Sequence, residues 1–177
     1  MAQYYLDVET TGFDPKKDKI ITIQYQKIFN SGKPADKLVI LKEWESSEKE
    51  IIEEFYKIFM VENKWEFIPI MQNHIFDLTF LFEKFKKYGL KVPDLSEYLY
   101  DKPLIDLKYM LVMCNSLNFK GAGLDKMTNK NTDGREIPQF YTRKKYKEIE
   151  DYIKQETDSF LEFFQKCMLK LPQLIKD

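Results

Sequence analysis

The sequence predicts an α/β fold in which a mixed five-stranded sheet is flanked by helices. Three observations predict it. Three strand-like runs separated by turn-rich segments come first, the arrangement of an antiparallel meander. Two short apolar runs further on each lead into a stretch of helical periodicity, the alternation that packs helices on a sheet. Apolar residues are spread along all 177 positions while Gly and Pro number only 6 and 7, so residues 1–177 are expected to fold as one domain. A chain of this length buries roughly 70% of the surface its unfolded form exposes.

Taken in order, Gln3 to Val8, Ile20 to Phe29 and Lys37 to Glu43 are the meander, with turns around Gly12 to Pro15 and Asn30 to Pro34. Ser46 or Ser47 starts a helix, with acidic residues in its first turn and one apolar stripe of Ile51, Ile52, Phe55, Ile58 and Phe59. Phe67 to Met71 is short and apolar, a buried strand. The helix after it carries Leu78, Phe80, Leu81 and Phe85 and ends at Tyr88-Gly89, where glycine suits the C-cap. Leu104 to Asp106 is the second buried strand and runs into a helix through Tyr109, Met110 and Met113. Between Asn115 and Thr142 the pattern loosens into polar, glycine-containing sequence of the kind that forms mobile loops, with a short helix over Leu124 to Asn129. Lys144 to Leu171 is one long helix with apolar positions at Ile149, Ile153, Phe160, Phe164, Cys167 and Leu171.

Composition excludes several classes of function. Lys plus Arg total 28 against 29 for Asp plus Glu, so the net charge of -1 argues against coating nucleic acid by bulk electrostatics. Any such contact must be local or metal-mediated. Cys114 and Cys167 stand alone without a CxxC, which argues against a disulfide scaffold or a zinc site and leaves two buried, reduced thiols. The N-terminus lacks a basic segment followed by an apolar core, and no apolar stretch reaches bilayer length, so a cytoplasmic protein away from membranes is expected. His74 is the single histidine, which excludes most histidine-based catalysis.

The chemistry starts at Asp7-Val8-Glu9-Thr10-Thr11-Gly12, at the end of the first strand. Residues i and i+2 of a strand share a face, so the two carboxylates point at one spot. Like charges that close repel unless something positive lies between them, and hard oxygen donors suit a divalent cation. A solvated turn is the plain alternative, and the apolar run before Asp7 weighs against it. A second acid, Asp77, lies in Asn73-His74-Ile75-Phe76-Asp77, where a buried strand passes into a helix, a place where α/β folds put ligands. In the last helix Tyr152 and Glu156 are four residues apart and share a face. Glu156 falls between Ile153 and Phe160 on the apolar stripe, where an ionised carboxylate is costly unless paired or bound to metal. His74 reads as structural or peripheral, and Asp106 either caps the helix after it or stands near the site.

These three elements together resemble the DEDD superfamily of 3′ to 5′ exonucleases, which has an RNase H-like fold. The D-x-E-T-T-G motif is Asp7, Glu9, Thr10, Thr11 and Gly12; the N-x-x-x-D motif is Asn73 and Asp77; the Y-x-x-x-D motif corresponds to Tyr152 through Glu156. Asp106 in Pro103-Leu104-Ile105-Asp106-Leu107 resembles a further D-[TL]-L segment of the family. The third motif departs from the pattern, because the family's aspartate is a glutamate here. Asp158 is the nearest downstream aspartate, but it lies six residues from Tyr152 and turns to another face, and Asp151 has a similar defect, so helix phase favours Glu156.

The resemblance implies hydrolysis at the 3′ end of single-stranded DNA or RNA, with two Mg²⁺ or Mn²⁺ ions roughly 4 Å apart across the scissile phosphate. Asp7 is implied as the bridging ligand, with Glu9 and Glu156 on the ion that binds the nucleophile and Asp77 on the other. With its only histidine in the second motif, the chain resembles the tyrosine branch, so Tyr152 takes the water-positioning role. A phenol is a poor free base, so it orients a water that the metal acidifies. Backbone amides of Thr10 and Thr11 are expected to hold the 3′ hydroxyl, Phe13 to stack on the last base, and Asn73 to contact the terminal sugar or phosphate. Arg143, Lys144, Lys145 and Lys147, with Lys120 and Arg135, either track the strand's backbone or form a solvated face, the plainer reading. The alternative function is an RNase H-like nucleic-acid-binding module that is catalytically weak or inactive.

Overall fold

A computed structural model describes residues 1–124 and 134–175 of the chain. Its five strands are β1 (Gln3–Thr10), β2 (Ile20–Ile28), β3 (Val39–Lys42), β4 (Ile68–Met71) and β5 (Ile105–Asp106). They lie side by side in the order β3-β2-β1-β4-β5. The first three form the expected antiparallel meander, while β4 runs parallel to β1 and β5 parallel to β4. The sheet is therefore mixed, with β1 at its centre. Pro69 is tolerated inside β4 because β5 pairs only with Ile70 and Met71, so no neighbour asks for the missing N–H.

Six α-helices surround the sheet among the described residues: α1 (Glu48–Phe59), α2 (His74–Lys87), α3 (Leu95–Asp101), α4 (Leu107–Cys114), α5 (Ile137–Thr142) and α6 (Tyr146–Lys170). Alternation along β1 sorts them into two layers. Leu6 and Val8 point into a core with Ile51, Phe55, Leu78 and Phe85 of α1 and α2. Tyr5 points the other way, into a core with Leu107 and Leu111 of α4 and Phe160 and Phe164 of α6. Asp7 and Glu9 continue the Tyr5 series, so both carboxylates face α6.

Local signals set the helix ends where the sequence places them. Ser47 caps α1, its hydroxyl accepting from Glu50 N–H at 3.2 Å. Gly89 follows α2 with φ +73°, a left-handed position that glycine adopts without strain, and Leu90 N–H donates back to Phe85. The start of α6 is fixed to the sheet by Trp44, stacked on Tyr146 with centroids 4.6 Å apart, and by Lys42 paired with Glu150 at 2.9 Å.

Several expectations are corrected. The strand expected to reach Glu43 stops at Lys42, and Glu43–Glu45 turn as a 3-10 helix. Helix α3 was not expected, and α5 lies in a stretch read as loop. Each has one fully buried residue, Tyr98 or Ile137, too few to mark a period. Cys167 is buried as expected, but Cys114 ends α4 on its exposed side. The helix expected over Leu124 to Asn129 lies, beyond Leu124, outside the described residues. Among those described, no helix is long and apolar enough to cross a membrane.

A buried polar cluster ties the loop after β1 to the helices. Lys84 of α2 is 1% exposed; its Nζ donates to the carbonyl of Pro15 at 2.9 Å and to that of Asp18. It also lies 3.5 Å from Glu48, which accepts from Ile20 N–H, Lys87 Nζ and the Tyr88 hydroxyl. Burial pushes the Glu48 carboxyl up, but these donors outweigh it and hold it below its ordinary value. The loop that carries Phe13 is thus fastened at both ends.

Candidate active site

The site sits where β1 outruns β4. The parallel ladder ends at Tyr5 and Ile70, so Val8 N–H has no strand to meet on that side. Asp77, in the first turn of α2, fills the place: its Oδ1 accepts from Val8 N–H at 3.2 Å and the residue is 2% exposed. That bond brings a carboxylate from one layer of the fold into the field of Asp7 in the other. Burial first, then the charge of Asp7, holds the Asp77 carboxyl well above the usual carboxylate range.

Carboxylate oxygens of Asp7, Glu9 and Glu156 all lie within 4.8 Å of one another. Alternation on β1 supplies the first two and the inward face of α6 the third. Asp158, two residues on, is exposed. Opposite Asp7 in register is Gln24, fully buried, whose Nε2 donates to Asp7 Oδ2 at 2.6 Å. The Thr22 hydroxyl donates to Gln24 Oε1 at 2.9 Å, so the amide can turn only its NH₂ toward the acid. The sequence reading missed Gln24; its signal was a polar residue in the middle of an apolar strand.

Tyr152 stands one helical turn before Glu156, 5% exposed, its hydroxyl bonded to the Glu156 side chain. Burial, then the charges of Glu9 and Glu156, raise the phenol so far that it keeps its proton at any working pH. Tyr5, on the same sheet face, is likewise raised by burial and then by Asp7 and Glu156. Gly134 packs on the Tyr152 hydroxyl so closely that a Cβ there would lie 2.8 Å from the oxygen.

A cavity of about 460 Å³ opens beside Glu9, lined by Val8, Thr10, Phe13, Phe76, Gly134 and Arg135 among others. Phe13 is 82% exposed and meets Phe76 edge-on at 6.2 Å. Gly12 lies under this loop: a Cβ would come within 2.4 Å of the Asp18 carboxylate, which accepts from Asp14 N–H. Phe76, Gly134 and Arg135 were not singled out as site residues. Arg135 stands in the sequence among the basic residues that either track a strand's backbone or form a solvated face, and Gly134 sits in polar sequence that carries no period.

Other expected contacts fall elsewhere. The Thr11 amide donates to Lys19 at 2.9 Å inside the loop, so it is engaged and does not face a ligand. Thr10 lines the cavity, with its hydroxyl donating to the Gly12 carbonyl at 2.6 Å. Asn73 is exposed, left-handed at φ 65°, and its Oδ1 accepts from Lys108 at 2.7 Å, apart from the acids. Asp106 joins two helix starts: it accepts from the amides of Asn73, His74 and Lys108 and lies 2.6 Å from His74 Nδ1. It caps rather than joining the acidic cluster, and His74 is its structural partner. Arg143, Lys144, Lys145 and Lys147 are all exposed, with Lys145 paired to Glu148 at 3.5 Å.

The chain belongs to the RNase_H superfamily, whose sequence profile matches residues 4–175. Its fold is the RNase H-like nuclease fold, and the solved structures it resembles include several of exonuclease I. E. coli exonuclease I in complex with a dT13 oligonucleotide aligns with 99% of this chain and 42% of its own, at 11% identity and a TM-score of 0.70. The metal-free E. coli exonuclease I–ssDNA complex aligns with 98% of this chain and 41% of its own, at 13% identity and a TM-score of 0.66. An exonuclease I structure described as suggesting how processivity is achieved aligns with 73% of this chain and 35% of its own, at 14% identity and a TM-score of 0.58. The chain therefore spans less than half the length of these exonucleases. No curated protein sequence matches it.

Proposed function

We propose that this chain is a metal-dependent 3′ to 5′ exonuclease that hydrolyses phosphodiester bonds at the 3′ end of single-stranded nucleic acid and releases nucleoside 5′-monophosphates. The observation that carries the reading is the convergence of Asp7, Glu9 and Glu156 within 4.8 Å, with Asp77 bonded to the amide of Val8, the residue between Asp7 and Glu9. The polarity of cleavage follows from the resemblance of the three acidic motifs to the DEDD exonucleases. Single-stranded DNA is the first substrate to assay, since the two neighbours of highest coverage described above were solved with it.

The donor set fits a pair of hard divalent ions. All four groups are carboxylates, none is thiol or imidazole, and burial and the charge of Asp7 raise Asp77, a penalty that a bound cation would offset. Asp7, Glu9, Glu156 and Asp77 would hold Mg²⁺ or Mn²⁺, which when bound supplies charge neutralisation at the phosphate and a more acidic water. The rest is done by the chain. Gln24 fixes the direction of Asp7, and Val8 N–H that of Asp77. Tyr152, locked in its protonated form, is a hydrogen-bond donor that orients oxygen ligands rather than a base that takes a proton. Phe13 and Phe76 offer ring faces to a base and keep water from the apolar side of the cavity. Arg135, on the same lining, would offer a cation to a phosphate oxygen.

A 5′-labelled oligonucleotide incubated with Mg²⁺ or Mn²⁺ tests the reading. Progressive shortening from the 3′ end is expected, abolished by EDTA and by Asp7→Asn. Full-length strand that persists under both metals while binding is measurable would overturn it in favour of a non-catalytic binding module.

A further inference from the structure

We propose that the outer face of α4 and the turn after it form a docking track for the part of a DNA single strand that lies 5′ of the scissile phosphate. The proposal rests on the nuclease reading above. The track starts inside the candidate site. Phe13 and Phe76 line the cavity beside Glu9, and the same two rings line a second cavity of about 270 Å³ that reaches Asn73. Asn73 is bonded to Lys108 in the first turn of α4, which carries the route onto that helix.

Tyr109 and Met113 then lie four residues apart on one helix face, 56% and 65% exposed, while Leu107, Leu111 and Val112 are buried behind them. The helix is eight residues long, so this face covers about 12 Å. At its end Asn115 Nδ2 donates to the carbonyls of Asn118 and Lys120 at 2.7 and 3.1 Å, folding the turn back and holding Phe119, 68% exposed, beside Lys120. Large apolar side chains this exposed, on one short helix and the turn that ends it, mark a contact surface.

Charge decides what the surface contacts. The whole chain has 29 acidic residues, yet none falls between Leu107 and Leu124, where Lys108 and Lys120 are the only charges. A segment with two cations, two exposed rings and no carboxylate of its own matches a polyanion whose bases stack, and the stacking is tolerant of sequence. Continuity with the Glu9 cavity gives the strand its direction, with the 3′ end at the acids and the upstream nucleotides over α4.

The test compares 5′-fluorescein thymidine strands, a trinucleotide and a chain of about 12, a length within the usual reach of such surfaces. Fluorescence anisotropy in EDTA keeps both uncut. Wild type binds the longer strand more tightly, and in the double variant Tyr109→Ala with Phe119→Ala the ratio of the two dissociation constants shrinks by about tenfold or more. Lys108→Ala and Lys120→Ala each lower the slope of log affinity against log salt by about 0.7 for the longer strand. Both rings are exposed, so the double variant should melt as wild type does. An unchanged ratio overturns the track. Loss of self-association in sedimentation, with DNA affinity untouched, also overturns it and assigns the patch to contact between proteins. A wild type that shortens neither strand with Mg²⁺ refutes the nuclease reading, while the anisotropy ratio still decides the track by itself.

Discussion

Replacing Lys84 with methionine tests how the loop bearing Phe13 is held in place. Lys84→Met keeps the length of a fully buried side chain and removes its charge and its donors. Two loop carbonyls, of Pro15 and Asp18, lose this donor, and Glu48 loses a positive neighbour 3.5 Å away. Breaking a buried ion pair costs about 3–5 kcal/mol when the remaining charge is stranded. Glu48 is not stranded, because Ile20 N–H, Lys87 and Tyr88 still donate to it. The lower end, about 3 kcal/mol, is therefore expected, and most of it falls on the loop between Thr11 and Lys19 rather than on the core. Three kcal/mol multiplies the open population of that loop roughly a hundredfold. Lys16 and Lys17 are exposed tryptic sites in the same loop, so brief native trypsin digestion followed by mass analysis reads the opening directly. Cleavage there should rise about as steeply, and urea unfolding should show the smaller global loss. A rate within about threefold of wild type, with unfolding free energy unchanged to about 0.5 kcal/mol, would refute the role given to Lys84.

Asp77→Asn keeps an acceptor for Val8 N–H and removes a charge that burial and Asp7 disfavour, so in EDTA the variant should melt a few degrees higher while turnover falls at least about a hundredfold. A lower melting temperature would contradict the electrostatic account. Gly134→Ala puts a methyl group 2.8 Å from the Tyr152 hydroxyl, so kcat should drop about tenfold with the melting temperature nearly constant; an unchanged kcat removes the hydroxyl's position from the mechanism. Glu48 is held below its ordinary value, so its contribution is complete above the unfolded value near about 4.3 and lost as pH falls through the folded one. Urea unfolding at a series of pH values should show Glu48→Gln less stable at neutral pH and less sensitive to acid, and an acid limb identical to wild type would refute this.

The parts of this fold that were legible are those where one physical signal dominates a segment. Ile20 to Ile28 is apolar and β-branched enough to be a strand in any context, and α6 repeats its apolar residues over 25 positions. Asp7 and Glu9 could be placed on one face because a strand has only two. What stayed hidden depends on contacts between segments. The helix of Leu95–Asp101 is held by the burial of Tyr98 among Phe59 and Phe82, which no local pattern announces. Lys84 reads as one more solvent-facing lysine in α2 until the loop carbonyls close over it. The Thr11 amide was assigned to a ligand because its partner, Lys19, is eight residues away across a loop whose shape the sequence does not reveal. Asp106 shows the same limit: both readings of it were compatible with the chain, and the amides of Asn73 and His74 decided for the cap.

The order in which the acids occur along the chain has a consequence for biosynthesis. Asp7, Glu9 and Asp77 are all made before Tyr152 and Glu156, which arrive on the long helix α6. A nascent polypeptide on the ribosome thus presents three of the four acids, and the proposed ligand set would close only after α6 has emerged and docked on β1. On the function proposed above, competence to bind metal would for that reason be a readout of α6 having docked as much as of a folded sheet.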